Sequence, residues 1–135
     1  MSFMNSGECR CGAYRFRVSN APFWVSYCHC SDCRKSTGAP VAVFAGFKVD
    51  DVKITGVEGA TYKAIPGVTR PFCSECGTPI GYEDIRLPGE IYYYIGMLDN
   101  QEAHAPQLHA YVEERLGWLN ISDDLPRYKH FSRPR

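Results

Sequence analysis

The chain has 135 residues, the usual size of one domain, and 44 % of them are hydrophobic, which excludes an intrinsically disordered segment. Fifteen basic residues balance fifteen acidic ones, so the chain lacks the positive field that draws proteins to nucleic acid. No apolar run in the sequence approaches the roughly 20 residues that a membrane helix needs. We therefore expect a single domain over residues 1–135 with a loose end to its polar tail, and neither nucleic acid nor a membrane as a partner.

The first seven residues have neither the basic start nor the apolar core of a secretion signal. We thus expect a cytoplasmic protein whose thiols stay reduced. In that compartment, clustered cysteines are typical of metal ligands or redox groups rather than of structural disulfides.

Short strands are predicted along most of the chain, because apolar or alternating runs are separated by Gly, Pro and Asn. We expect strands over 13–19, 23–27, 41–47, 52–55, 61–65, 78–83, 90–98 and 109–113. Ser31 is expected to cap a short helical turn that ends at Gly38, and residues 115–119 are expected to form another turn of helix. Since no 3.6-residue period is sustained, the sequence predicts a mainly β, mostly antiparallel domain.

Aromatic residues in this pattern favour packing over chemistry. Tyr92, Tyr93 and Tyr94 follow one another in a predicted strand, so Tyr92 and Tyr94 should face one side of the sheet and Tyr93 the other. Trp24 and Trp118 are likewise expected in the core.

All seven cysteines fall into three groups, and seven divides into four plus three. Cys9-x-Cys11 and Cys73-x-x-Cys76 are each short enough to place two sulfurs on one ion, and four thiolates complete the tetrahedron of a structural zinc site. Gly77 should free the backbone to turn around the sulfurs. The alternative is a set of reduced thiols without metal.

The third group, Cys28-His29-Cys30-Ser31-Asp32-Cys33, offers three thiolates, which predicts a second, catalytic zinc with an open position for water or a substrate thiolate. A closed site is the first alternative, with a fourth ligand from His104, His109 or His130. A Cys30–Cys33 disulfide or an empty site is the second. His29 lies between two ligands and should point away from them, so it is a poor candidate for the fourth ligand. It is a weaker candidate for a general base beside the metal.

Three basic residues adjoin the cysteines: Arg34, Lys35 and Arg70. They could bind the carboxylates of an acidic thiol, with arginine giving bidentate geometry. The alternative is that they offset thiolate charge or face solvent.

Four stretches together resemble a known family: residues 7–12, 28–38, 70–78 and 118–128. They are similar to the glutathione-dependent formaldehyde-activating enzymes and their relatives, which include centromere protein V. The resemblance implies a mainly β, Mss4-like antiparallel domain built around a structural zinc on Cys9, Cys11, Cys73 and Cys76, with Cys28, Cys30 and Cys33 as ligands of a catalytic zinc. The chain is shorter than the named enzyme, with little room for extra substrate-binding loops.

The function that the resemblance implies is that of a carbon–sulfur lyase that joins glutathione and formaldehyde to S-hydroxymethylglutathione. Two other classes stay open: a non-enzymatic zinc module that binds a macromolecule, and a thiol-based redox or metal sensor whose three-cysteine site loses metal on oxidation. The balanced charge counts against nucleic acid as the partner of such a module.

Overall fold

The computed structural model describes residues 5–131. The expected loose end of the tail lies outside these residues. Within them there are ten strands, one α-helix and four short 3-10 helices. The strands are β1 (Asn5–Glu8), β2 (Arg15–Val18), β3 (Trp24–Cys28), β4 (Ala42–Lys48), β5 (Val52–Ile54), β6 (Ala60–Tyr62), β7 (Val68–Phe72), β8 (Gly81–Asp84), β9 (Glu90–Tyr94) and β10 (Leu108–Ala110). The helix α1 spans Ser31–Thr37, and the 3-10 helices are Val49–Asp51, Ile95–Met97, Gln101–Ala103 and Val112–Glu114.

The strands form two sheets. A small sheet has the order β1-β2-β5, and a large one has the order β10-β3-β4-β9-β8-β7-β6. Neighbouring strands are antiparallel, except that β10 pairs with β3 in parallel. The structure therefore confirms the mainly β, mostly antiparallel prediction. No helix of the described chain has the length and apolar character to cross a bilayer.

Several element boundaries differ from the sequence-based expectation. The strands β1 and β7 were not predicted, because their segments are short and end in the cysteine loops. The strand expected over 90–98 ends at Tyr94, where pairing with Phe44 ends and a 3-10 turn begins. The strand expected over 109–113 is likewise replaced after Ala110 by a 3-10 turn. No helix forms over 115–119.

The large sheet buries both of its faces, and the two faces have different neighbours. One face packs against the small sheet, and Phe16 of β2 stacks on Tyr93 of β9 with ring centroids 3.9 Å apart. The opposite face carries Tyr92 and Tyr94, which pack with Trp24 and Phe44. The predicted alternation of the three tyrosines is thus confirmed, and the second face is the one that reaches the Cys28 group.

The expectation for Trp118 was wrong. Trp24 is 2 % exposed, but Trp118 is 71 % exposed, because no strand or helix forms around it to bring it onto either sheet. Apolar character alone did not distinguish the two tryptophans.

Strands β8 and β9 lie so close together that one position excludes any side chain. A Cβ on Gly81 would overlap the carbonyl oxygen of Tyr92, a backbone atom fixed by the β8–β9 pairing. A Cβ on Gly96, in contrast, would meet no atom within 4 Å among the described residues.

We expect Gly81→Ala to lower the free energy of unfolding by about 1–3 kcal/mol, because the added methyl group forces the two strands apart. Gly96→Ala is the matched control and should change it by less than about 0.5 kcal/mol. Urea unfolding of both variants measures the difference. Equal stabilities would contradict the close approach of β8 and β9.

Candidate metal centres and the adjoining cavity

The first cysteine group joins two loops that are far apart in the sequence. The ligand atoms of Cys9, Cys11, Cys73 and Cys76 all lie within 4.8 Å of one another. The sulfurs of Cys9 and Cys11 are 3.7 Å apart, and those of Cys11 and Cys73 are 3.8 Å apart. A tetrahedron with zinc–sulfur bonds of about 2.3 Å has edges of about 3.8 Å, so this group could hold a metal ion and is consistent with zinc.

The two loops are built alike, which explains why their sulfurs converge. Each ends in a glycine with positive φ, Gly12 at 81° and Gly77 at 78°, as predicted for Gly77. The turn lets the backbone N–H of Tyr14 donate to the sulfur of Cys9 at 3.4 Å. The Thr78 hydroxyl lies 3.0 Å from the sulfur of Cys76, and this hydrogen bond lowers the pKa of Cys76 to about 6. Both contacts favour thiolates, the form that binds metal.

The second group lies where β3 runs into α1. The sulfurs of Cys28 and Cys33 are 3.6 Å apart. Cys30 is the residue before the helix, and its hydrogen bonds with Cys28 and Cys33, together with backbone N–H groups of α1, lower its pKa far below the ordinary value. Within residues 5–131, only the first cysteine group has all its ligand atoms within 4.8 Å of one another. The sulfurs of Cys28, Cys30 and Cys33 are therefore farther apart than those of the first group.

Arg70 of β7 is the cation of this second group. Its Nη2 donates to Asp32 at 2.6 Å and to the sulfur of Cys33 at 3.5 Å, while Nη1 donates to the Tyr94 hydroxyl at 2.9 Å. Burial alone would lower the pKa of Arg70, but the interactions with Cys33 and Asp32 raise it above its ordinary value. A buried, permanently charged guanidinium therefore faces the sulfur of Cys33, and it also lies 5.0 Å from the centroid of the Tyr82 ring.

The other two predicted substrate contacts lie elsewhere. Arg34 donates through Nη1 to the backbone carbonyls of His29 and Glu114, so it ties the cysteine loop to the 3-10 helix Val112–Glu114. Lys35 lines a separate depression of about 560 Å³ that also includes Asp32 and Arg70. Of the three basic residues, Arg70 alone lines the cavity that contains the Cys28 group.

The predicted cap of α1 was wrong in its residue. The N-cap is Cys30, and Ser31 is the first residue of the helix. The hydroxyl and the backbone N–H of Ser31 both donate to Glu114 instead, at 2.9 and 3.0 Å. The expected end at Gly38 is confirmed, since Gly38 has a φ of 72° and donates to the carbonyl of Arg34.

A cavity of about 470 Å³ opens beside the second group and is walled by aromatic rings. Cys28, Cys30 and Cys33 form one end of it. The rings come from β3, β4, β8, β9 and the C-terminal segment: Trp24, Phe44, Tyr82, Tyr92, Tyr111 and Phe131. The remaining charged residues on the wall are paired, Asp32 with Arg70 and Asp84 with Arg86, each at 2.6 Å. A thiol-bearing end and an apolar body are thus parts of one site.

Tyr111 reaches this cavity through an unusual backbone conformation. Its φ of 57° and ψ of 40° are left-handed, and no other non-glycine residue of the described chain has a positive φ. Such a conformation costs about 1–3 kcal/mol and persists where the surroundings enforce it. Here the N–H of Tyr111 donates to His130 and the N–H of Val112 donates to Tyr128, which fixes the turn. Burial, with the nearby sulfur of Cys28, raises the pKa of Tyr111.

His29 points away from the sulfurs, as predicted, and heads a buried hydrogen-bonded chain. Its Nε2 lies 2.9 Å from Nδ1 of His109, and Nε2 of His109 lies 2.8 Å from Asp123. Tyr27 stacks on the His109 ring at 4.5 Å. Burial lowers the pKa of His29 to about 4, which favours the neutral ring. These hydrogen bonds connect the cysteine loop to the C-terminal segment.

The histidines considered as fourth ligands have other partners. His109 bonds to His29 and Asp123, as described. Nε2 of His104 lies 2.7 Å from the side-chain nitrogen of Asn5, and Nε2 of His130 lies 3.5 Å from Glu113. All seven cysteines are free thiols.

Most of the cavity wall was not predicted from the sequence. Tyr82, Tyr111, Phe131 and the Asp84–Arg86 pair lie far from the cysteines in sequence, and nothing in their spacing indicates where they meet. The one available signal was the density of aromatic residues, which we interpreted as core packing.

Asp123 should stabilise the cysteine loop, because it accepts the last hydrogen bond in the series that begins at His29. We expect Asp123→Ala to speed hydrogen exchange at the backbone N–H of His29, which donates to Ala110 at 3.1 Å. Asp124→Ala is the matched control, since Asp124 is exposed. Amide exchange measured by NMR distinguishes the two. Equal protection of His29 in both variants would show that the chain does not hold the loop.

The family model for glutathione-dependent formaldehyde-activating enzymes matches residues 4–114. A protein of Halomonas elongata named "Putative glutathione-dependent formaldehyde-activating enzyme" is 33 % identical over 124 residues, which covers 85 % of this chain and 79 % of that protein.

A solved structure gives the same result for the fold. The crystal structure of a Rhodobacter sphaeroides protein superimposes with a TM-score of 0.61, at 22 % identity, covering 75 % of this chain and 96 % of that one. This likeness shows the fold alone. The family match and the Halomonas relative go further, and together they show that the chain belongs to the glutathione-dependent formaldehyde-activating enzyme family.

Proposed function

We propose that this protein is a zinc-dependent carbon–sulfur lyase that makes and breaks the adduct of a small thiol with an aldehyde, with glutathione and formaldehyde as the pair that the family name suggests. The observation that carries the proposal is that Cys28, Cys30 and Cys33 line one end of a 470 Å³ cavity. Thiolates placed deep in a structural core would have no substrate to meet, whereas these open onto a space of ligand size.

The donor types suit zinc, although the three sulfurs would have to draw closer together to bind it. Cys28 and Cys33 are spaced at 3.6 Å, close to the edge of about 3.8 Å in a zinc–thiolate tetrahedron. Zinc with three protein ligands supplies a Lewis acid with one open position, and soft thiolate ligands favour a sulfur substrate there. Two zinc ions per chain are then expected, one in each cysteine group.

The covalent step is an addition. The thiol sulfur forms a bond to the carbonyl carbon, the carbon–oxygen π bond breaks, and the thiol proton ends on the oxygen, which gives a hemithioacetal without any oxidant or reductant. The protein must favour the thiolate and exclude competing water. Arg70 serves the first need, since its charge lies 3.5 Å from the Cys33 sulfur, and the aromatic wall serves the second.

An acidic thiol such as glutathione would extend towards the second depression. Lys35 lines this depression. Arg70 and Asp32 line both the depression and the aromatic cavity, so the depression and the cavity meet at the Arg70–Asp32 pair. We propose that Lys35 and Arg70 hold substrate carboxylates. Arg34, the third basic residue predicted for this role, would act on the substrate indirectly by fixing the His29 carbonyl.

Glutathione should coordinate the second metal directly. In protein loaded with cobalt instead of zinc, we expect millimolar glutathione to change the thiolate-to-cobalt absorption band. S-methylglutathione should leave it unchanged, because its sulfur cannot become a thiolate. An unchanged band with glutathione would count against an open metal position at Cys28, Cys30 and Cys33.

The two metal sites should respond differently to the loss of one ligand. Cys11 and Cys73 are 62 residues apart, so the first site closes a long loop and contributes directly to folding, whereas the second joins residues within one short segment. We expect Cys76→Ser to give unfolded or insoluble protein. Cys33→Ser should give folded protein with one zinc per chain and no adduct turnover.

Zinc content, thermal unfolding and exchange NMR of S-hydroxymethylglutathione measure the three properties in both variants. If Cys33→Ser unfolds as readily as Cys76→Ser, the division into a structural and a catalytic site is wrong. If Cys33→Ser keeps full turnover, the proposed lyase site is wrong.

A further inference from the structure

The cavity beside the Cys28 group is far larger than formaldehyde requires. A hemithioacetal carries the thiol's organic group on sulfur and the aldehyde's substituent on carbon, and formaldehyde supplies only hydrogen as that substituent. A space of about 470 Å³ lies within the range of roughly 300–1,000 Å³ that holds larger organic ligands.

The chemistry of the wall indicates which group fits. Aromatic rings dominate it, and Ile65 and Leu87 add aliphatic surface. Both carboxylates on the wall are already paired with arginines, Asp32 with Arg70 and Asp84 with Arg86. Two nitrogens of wall residues lack a hydrogen-bond partner, Nε1 of Trp24 and Nε of Arg70, but both are buried. An acidic or zwitterionic group placed among the rings would therefore lose its hydration beside two carboxylates, whereas an apolar group would be stabilised.

The position of Lys35 separates the two halves of the adduct. This side-chain cation lies in the other depression, beyond the Arg70–Asp32 pair. A charged thiol is therefore better placed on that side, and the aromatic cavity is left for the substituent on the carbonyl carbon. Tyr111, held in a left-handed conformation, completes the wall next to Cys28.

We propose that the aromatic cavity binds an aromatic or branched aliphatic substituent on the carbonyl carbon, so that the preferred substrates are thiol adducts of apolar aldehydes larger than formaldehyde. This inference rests on the proposed function for its chemistry. The ligand class of the cavity can be tested without any turnover.

The chain's two tryptophans provide the probe. Trp24 lines the cavity, whereas Trp118 is 71 % exposed and lies in a different depression with Lys35. Zinc-loaded, ¹⁵N-labelled protein is titrated with 2-phenylethanol, ethanol and methanol, which mimic the carbonyl halves of the phenylacetaldehyde, acetaldehyde and formaldehyde adducts. The variant Trp118→Phe assigns the two indole N–H signals.

We expect 2-phenylethanol to shift the Trp24 signal saturably and the Trp118 signal little, with an affinity at least about tenfold higher than that of ethanol. Ile65→Ser should weaken this binding by about two- to tenfold. Val57→Ser is the matched control, since both residues are half-exposed and Val57 does not line the cavity.

A second variant tests the ring of Tyr111. Tyr111→Gly removes it at a backbone conformation that glycine adopts freely, and should weaken 2-phenylethanol by about two- to tenfold. Thermal unfolding and zinc content confirm that each variant is folded. Equal affinity for ethanol and 2-phenylethanol, or binding that Ile65→Ser and Tyr111→Gly leave unchanged, would overturn the inference.

Turnover separates this inference from the proposed function. At fixed glutathione, exchange NMR should give a kcat/KM at least about tenfold higher for phenylacetaldehyde than for acetaldehyde. Acceleration of the formaldehyde reaction with no gain for the larger aldehyde overturns the inference and leaves the proposed function standing. If no aldehyde reacts but Trp24 reports the expected binding, the lyase proposal fails and the ligand class of the cavity is supported.

Discussion

The sulfurs of Cys9, Cys11, Cys73 and Cys76 lie close together where the small and large sheets adjoin, although they repel one another as thiolates. The rest of the structure depends on this constraint. Cys9 follows β1 at the edge of the small sheet, and Cys73 follows β7 in the large one. Closing a loop of this length costs entropy, and gathering four negative charges costs more. A metal ion bound by these four cysteines would offset both costs at once. It would also fix how β7 enters the large sheet, and β7 carries Arg70 to the second cysteine group.

The two faces of the central strands of the large sheet have different surroundings, a closed core on one and the aromatic cavity on the other. On one face, Tyr93 stacks with Phe16 in a closed core. On the other, Tyr92 lines the aromatic cavity and Tyr94 lines the second depression. Because alternate residues of β9 serve the two faces, a one-residue shift in its register would exchange core and site residues. The Gly81–Tyr92 approach constrains that register from the neighbouring strand.

Local features were predictable from the sequence, and features that depend on distant contacts were not. The pairing of Cys9-x-Cys11 with Cys73-x-x-Cys76, the turn at Gly77 and the alternation of Tyr92 to Tyr94 depend on short-range signals, and the structure agrees with them. The assembly of the cavity was not predictable, since Tyr111 reaches the site through the parallel pairing of β10 with β3. Arg34 was predicted to bind a substrate carboxylate, and the carbonyl of Glu114, to which it donates, comes from a distant segment that its sequence neighbours do not indicate.

That parallel pairing also explains why the C-terminal segment belongs to the site. β10 places Ala110 beside Cys28, so the next residue must leave the sheet directly over the cysteine loop. The left-handed turn at Tyr111 makes this possible, and the backbone bonds of Tyr111 and Val112 to the segment around Tyr128 hold it. The hydrogen bonds from His29 through His109 to Asp123 hold the same segment at a second place. Two sets of contacts therefore sustain the strained conformation of Tyr111, and the same segment of the polypeptide contacts the cysteine loop and contributes to the aromatic wall.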